Sequence, residues 1–186
     1  MIGCFSTGYY ITRFLTGQDI RQDGSGQTGA RNVGRRLGRK GFAITFAGDF
    51  LKGALVIYLA GALDFESWAV VLCMLAVVAG HIYPVQLWFK GGRGVSVVLG
   101  AVLVYDWRLI LVVLVVFGLV YLLSRAYMLS GLAAIASLAA GAFFLRRPAV
   151  ELTGILLVTL LVLFAHRSHI AGLFRGRWSG TDTEGW

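Results

Sequence analysis

Nearly all the polar chemistry in this chain is concentrated in three short stretches, each rich in cations. Residues 17–41 hold seven glycines and six basic residues among 25. Glycine lets backbone N–H groups converge on an anion, and arginine grips a phosphate with two parallel hydrogen bonds. Residues 80–96 carry Lys90-Gly91-Gly92-Arg93-Gly94 just ahead of a short apolar run. N–H groups at the start of a helix, with two cations beside them, favour phosphate. Residues 166–177 place His166 and His169 three apart, on one face if the helix continues, and histidine moves protons near neutral pH. Each stretch also has a plainer use: a positive loop that sets topology, a tight turn, or a basic cap on the last helix.

Other chemistries are excluded. Gly24 to Gly29 has the spacing of a nucleotide-binding loop, but Ala30 and Arg31 stand where Lys and Ser or Thr are needed. An HxxxxD motif is absent, since Gln86, Ala171 and Phe174 lie five residues after His81, His166 and His169. Carboxylates are too few for a Mg²⁺ cage. Cys4 and Cys73 sit in apolar surroundings and suggest neither a disulfide framework nor a zinc site. No metal and no cofactor is expected. Asp49 and Lys52, at i and i+3 inside an apolar run, can pair on one helix face. Facing lipid they would be costly, so they form either an ion pair between helices or a substrate contact.

The stretches must be held by membrane helices. Of 186 residues, 58% are apolar or aromatic and 14% charged, with mean hydropathy +0.76. A soluble domain carries about a quarter charged residues, and a disordered chain lacks this much apolar surface. The 25 glycines follow no G-X-Y period. The net charge of +8 would suggest nucleic acid in a soluble protein. Beside a bilayer it indicates a membrane-facing or phosphate-binding surface, and no nucleic-acid partner is expected.

Crossing a ~30 Å hydrocarbon core takes about 20 apolar residues. Runs 42–63, 68–88, 107–124, 127–145 and 149–166 qualify. Run 94–105 covers only about 18 Å, and the first run, from Met1 to about Leu15, is short and contains Arg13. The sequence predicts an all-α polytopic integral membrane protein of about seven segments, the first and fourth short. Residues 1–177 would form one membrane-embedded domain and 178–186 a polar tail. Twelve Lys and Arg fall on the side of the 17–41 loop (Arg21, Arg31, Arg35, Arg36, Arg39, Lys40, Lys90, Arg93, Arg125, Arg167, Arg175 and Arg177). Only Arg108, Arg146 and Arg147 fall on the other. Positive charge stays inside, so the N-terminus is outside, the C-terminus cytoplasmic, and all three polar stretches face the cytoplasm. The N-terminus has no basic segment or cleavage site of a clear signal peptide.

At these positions the sequence resembles the acyl-phosphate:glycerol-3-phosphate acyltransferase family, PlsY. The family pattern DIR-x-x-GSGN-x-GATNV-x-R-x-x-G is matched by Asp19-Ile20-Arg21, Gly24-Ser25-Gly26, Gly29-Ala30, Asn32-Val33, Arg35 and Gly38. Gln27 and Arg31 replace its Asn and Thr. GD-x-x-KG is matched by Gly48, Asp49, Lys52 and Gly53. GH-x-(Y/F)-P and FKGGKGVAT are matched by Gly80, His81, Tyr83, Pro84 and the run Phe89 to Ser96, with Arg93 for the second lysine. HREN-I resembles His166-Arg167-Ser168-His169-Ile170. Against the family the first span starts late, which implies a shortened first helix or a missing N-terminal stretch.

The resemblance implies a multi-pass protein of the bacterial plasma membrane with its active site on the cytoplasmic side. It implies transfer of a fatty acyl group from acyl phosphate to the 1-hydroxyl of glycerol 3-phosphate. The products would be lysophosphatidic acid and phosphate, in phospholipid biosynthesis. Ser25 and His166 would be the catalytic residues. Arg21, Gly24, Gly26, Asn32, Arg35, Lys52, Lys90, Gly91, Gly92, Arg93, Gly94 and His169 would bind substrate. Partners would be both substrates, membrane lipids and an acyl-phosphate-making enzyme at the membrane. Two alternatives stand beside this: a transporter of a phosphorylated anion, and a paralogue that binds phosphate or lipid without catalysis.

Overall fold

Each long apolar run folds as a helix, the arrangement that satisfies backbone N–H and C=O groups where no water is present. The computed structural model describes residues 1–174, and among these there is no strand. The predicted polar tail 178–186, with Arg175 and Arg177 of the charge count, lies outside the described residues. The chain divides into two units, one of residues 1–105 and one beginning at Asp106.

The first unit holds α1 (Thr7–Thr16), α2 (Ala30–Ala62), α3 (Ser67–Ile82) and α4 (Val95–Tyr105), with 3-10 turns at Ile2–Cys4, Ile20–Gln22 and Val85–Leu87. The second holds α5 (Trp107–Ser124), α6 (Tyr127–Phe144), α7 (Ala149–Ala165) and α8 (Arg167–Phe174). Among the described residues, four helices are long and apolar enough to cross a membrane: α2, α3 together with the turn after it, α5 and α6. α4 and α7 are apolar but have only 11 and 17 residues. The first segment is shorter than the expected run to Leu15: α1 starts at Thr7 and stops at Gly17, whose φ of 71° only glycine adopts readily.

Two expected boundaries move. The loop expected over 17–41 ends at Gly29, and residues 30–41 belong to α2. Gly34 and Gly41 are buried helical positions, a Cβ on Gly41 would collide with Leu37, and only Gly38, at φ 70°, leaves helical geometry. α3 ends at Ile82 rather than 88, because Pro84 disfavours helical geometry at the residue before it and has no N–H to extend the ladder.

Small residues set the spacing of the first unit, as they do between helices in lipid. A side chain on Gly53 of α2 would run into the Val97 carbonyl of α4, and one on Gly100 of α4 into the Phe50 carbonyl of α2. In the second unit α6 packs against both α5 and α7. Buried Asp106 caps α5 by accepting from the Arg108 N–H at 3.1 Å, and also pairs with the Arg108 and Arg147 side chains. Burial pushes its carboxyl up, but these hydrogen bonds outweigh burial and leave it below its ordinary value.

Gly100→Ala should force α2 and α4 apart and cost about 1–3 kcal/mol. Gly61→Ala, where a methyl meets nothing within 4 Å, should be neutral or stabilise by about 0.5–1 kcal/mol. Thermal melting of the detergent-solubilised protein checks both; equal shifts would refute the close crossing.

Candidate active site

The first glycine-rich loop is organised by one side chain. Asn32 stands in the first turn of α2 and is buried. Its amide nitrogen donates to the carbonyls of Ile20 at 3.2 Å, Asp23 at 3.0 Å and Gln27 at 2.9 Å. Its oxygen accepts from the Ser25 N–H at 3.0 Å. The loop therefore wraps around Asn32 and leaves Ser25 exposed at its tip. That path needs left-handed backbone at Gly24 (φ 55°) and Gly26 (φ 69°). A Cβ on Gly24 would also collide with the Asn32 oxygen.

The second loop, Lys90–Gly94, is tied both to this loop and to the end of α3. Thr28 N–H donates to the Gly91 carbonyl at 3.3 Å. Arg21 donates to the Leu87 carbonyl at 2.7 Å. The segments around Ser25 and Arg93 are thus neighbours, as the sequence requires for a shared site. The N–H groups of Gly91 and Gly92, expected to converge on an anion, point elsewhere: they donate to the carbonyls of Ile82 at 3.2 Å and His81 at 3.1 Å. The backbone beneath them offers those acceptors directly. α4 begins at Val95, after Gly94 at φ 87°.

The cations differ in their surroundings. Arg21 is locked to Asp19, with a shortest contact of 2.6 Å, and its guanidinium lies 5.1 Å from the Tyr9 ring centroid. The hydrogen bond from Arg21 holds the Asp19 carboxyl below its ordinary value. Arg36 pairs with Asp23 at 2.8 Å and with Gln18. Lys90 and Arg35 are exposed, and Arg93 is half-buried. Burial, then repulsion from Arg31 and Arg35, lowers the Arg93 guanidinium to about 10, so it stays cationic at neutral pH. A pocket of about 530 Å³ is lined by Asp23, Gly24, Asn32, Arg35 and Arg36.

Lys52 lies deeper. It is buried on α2, 3.1 Å from Asp49, which is the pairing its i, i+3 spacing allows. His166 and His169 belong to the second unit. His166 is buried where α7 ends, and its Nδ1 lies 2.8 Å from the Val162 carbonyl. A carbonyl only accepts, so Nδ1 carries the hydrogen and Nε2 is the basic nitrogen of the neutral ring. His169 begins the second turn beyond it, with ring centroids 6.4 Å apart. Among the described residues no group of three or more His, Cys, Asp or Glu could hold a metal.

Sequence reasoning missed Asp19 as the clamp on Arg21, Asn32 as the organiser of its loop, and His81 as the floor of the second loop. The Asp19–Arg21 spacing was a readable signal; the other two depend on tertiary contacts.

The family model for glycerol-3-phosphate acyltransferase matches residues 1–176. Glycerol-3-phosphate acyltransferase 1 of Desulfitobacterium hafniense is 42% identical over 170 residues, covering 91% of this chain and 84% of the relative. Glycerol-3-phosphate acyltransferase of Myxococcus xanthus is 40% identical, covering 94% and 92%. A crystal structure of PlsY, an integral membrane glycerol 3-phosphate acyltransferase, in its glycerol 3-phosphate form is similar with a TM-score of 0.86 and 34% identity over 95% of this chain and 88% of that one. The lysophosphatidic acid form of PlsY gives a TM-score of 0.83 at 31% identity, with the same coverage. With its motifs in order along helices of the same arrangement, this chain belongs to the glycerol-3-phosphate acyltransferase family of integral membrane proteins.

Proposed function

We propose that the protein is a membrane acyltransferase that moves a fatty acyl group from acyl phosphate to the 1-hydroxyl of glycerol 3-phosphate. The observation that carries this is the joining of the two cation-rich loops through the Thr28–Gly91 and Arg21–Leu87 bonds. Relatives named for this acyl acceptor, and PlsY structures in glycerol 3-phosphate and lysophosphatidic acid forms, support the acceptor and the product. The sequence motifs support the donor, which an acyl-phosphate-making enzyme at the membrane would supply.

Acyl phosphate is a mixed anhydride with a good leaving group, so the reaction needs no covalent enzyme intermediate. The glycerol oxygen attacks the acyl carbonyl carbon, the bond from that carbon to the phosphate oxygen breaks, and inorganic phosphate leaves. The hydroxyl proton passes to Nε2 of His166. Ser25, able to donate and accept, orients the reacting hydroxyl. Lys90, Arg93, Arg35 and the first turn of α4 hold the phosphates and offset the charge that develops on the leaving group. Gly24, Gly26 and Asn32 shape the loop that presents Ser25, and Arg21 ties that loop to the second. His169 adds a polar contact beside His166.

The membrane reading is of about seven segments in one embedded domain, N-terminus outside, with the site on the cytoplasmic face of a bacterial plasma membrane. The twelve-to-three distribution of Lys and Arg supports the orientation, and the match over residues 1–176 supports the single domain.

Purified protein given acyl phosphate and glycerol 3-phosphate should release phosphate and form lysophosphatidic acid. Ser25→Ala and His166→Ala should each lower turnover by about 10²-fold or more. Full activity in both variants would remove these residues from the reaction. Binding of glycerol 3-phosphate by calorimetry with no turnover would make the protein a non-catalytic relative. Asn32→Asp removes the two amide hydrogens that the three carbonyls share and should cost about 1–3 kcal/mol. Hydrogen exchange across residues 19–29 should accelerate and turnover should fall; unchanged exchange would show that Asn32 does not hold the loop.

A further inference from the structure

Beneath the Lys90–Gly94 loop lies a buried polar cluster with no part in the chemistry above. Asp49, Lys52 and His81 are 1%, 6% and 3% exposed. The Lys52 ammonium lies 3.1 Å from Asp49 Oδ1, 2.8 Å from His81 Nδ1 and 2.5 Å from the Phe5 carbonyl. An ammonium has three hydrogens and no lone pair, so these three neighbours account for all its donors. His81 Nδ1 is then an acceptor, and the neutral ring carries its hydrogen on Nε2. Thr7 donates to Asp49 at 3.1 Å, which completes a cluster joining α1, α2, α3 and the N-terminal turn.

The far edge of the same imidazole lies against Gly92. A Cβ on Gly92 would overlap His81 Nε2, Cε1 and Cδ2. The backbone is fastened at the same place, with Gly92 N–H on the His81 carbonyl and Gly91 N–H on that of Ile82. The ring is therefore the floor on which the loop rests. Lys52 and Asp49 fix the ring's tautomer and tilt.

We propose that His81, held by Lys52 and Asp49, is a positioning residue that sets the height of Gly92 and thereby aims the Lys90 and Arg93 side chains at the substrate phosphate. This rests on the function proposed above, in which that loop binds phosphate. It also gives Lys52 a role other than direct substrate contact.

The test is a double-mutant cycle on the full chain in detergent, reading kcat, KM for glycerol 3-phosphate and the affinity for inorganic phosphate. Gly92→Ala should push the loop off the ring and weaken both phosphate readouts by about tenfold or more, since displacements near 1 Å cost up to about 10²-fold. In a His81→Ala background the same methyl has room, so its further effect should shrink to about twofold or less, a strongly non-additive result. His81→Asn, which keeps an acceptor near Nδ1 for Lys52 but removes the Nε2 edge, should also raise KM with little change in melting temperature. It serves in place of His81→Ala if that variant does not fold. Additive effects in the cycle, or unchanged KM and phosphate affinity in folded His81 variants, would overturn the positioning role. Lack of turnover and of phosphate binding in the unsubstituted protein would instead overturn the proposed function.

Discussion

A charge buried between apolar helices has no water to turn to and must be matched inside the protein, or it is expelled. In the first unit this constraint falls on the Lys52 ammonium. Its three neighbours come from α2, α3 and the segment just before α1. Aliphatic contacts tolerate sliding, whereas a donor that must meet three acceptors at once does not. The crossing at Gly53 and Gly100 fixes the spacing of α2 and α4, and the ammonium fixes α2 against α3. Between them the path from Ile82 to Val95 has both ends held, and the Lys90–Gly94 loop lies on that path.

The loops then hold one another through backbone. Asn32 collects three carbonyls and one N–H from the first loop, and Thr28 passes that order to Gly91. The charged props of these loops are Arg21 and Arg36, each paired with an aspartate, and they are not the cations proposed for the phosphates, Lys90, Arg93 and Arg35. This division suits a site for anions, because a cation that holds the scaffold together is not available to follow a substrate through a change of charge.

Much of this was legible in the sequence, and what was not has specific causes. The all-helical class followed from long apolar runs. The Asp49–Lys52 pair followed from the i, i+3 spacing of a helix. Residues 30–41 were misread as loop because glycine and arginine dominate them. Glycine there serves close packing at Gly41 and a break only at Gly38, and composition does not separate those uses. The occupied N–H groups of Gly91 and Gly92 were hidden for a related reason. A glycine-rich turn before a helix looks alike whether its N–H groups face a ligand or the preceding helix. Which occurs depends on where the His81 and Ile82 carbonyls lie, and that is a tertiary fact.

The distribution of carboxylates sorts the arginines. Asp19 and Asp23 each sit on one guanidinium, of Arg21 and Arg36; Arg21 fastens the first loop to Leu87, and Arg36 fastens that loop to α2. The field at Arg93 is instead set by burial and by two further guanidiniums, Arg31 and Arg35, and it lowers the Arg93 pKa to about 10. Such a group of like charges raises the energy of the folded protein. A phosphate dianion placed among them would be attracted by each guanidinium, and those attractions offset the mutual repulsion. A neutral or cationic ligand would gain no such attraction. Arg31, the departure from the family pattern that adds a charge, is one of the two guanidiniums that lower Arg93.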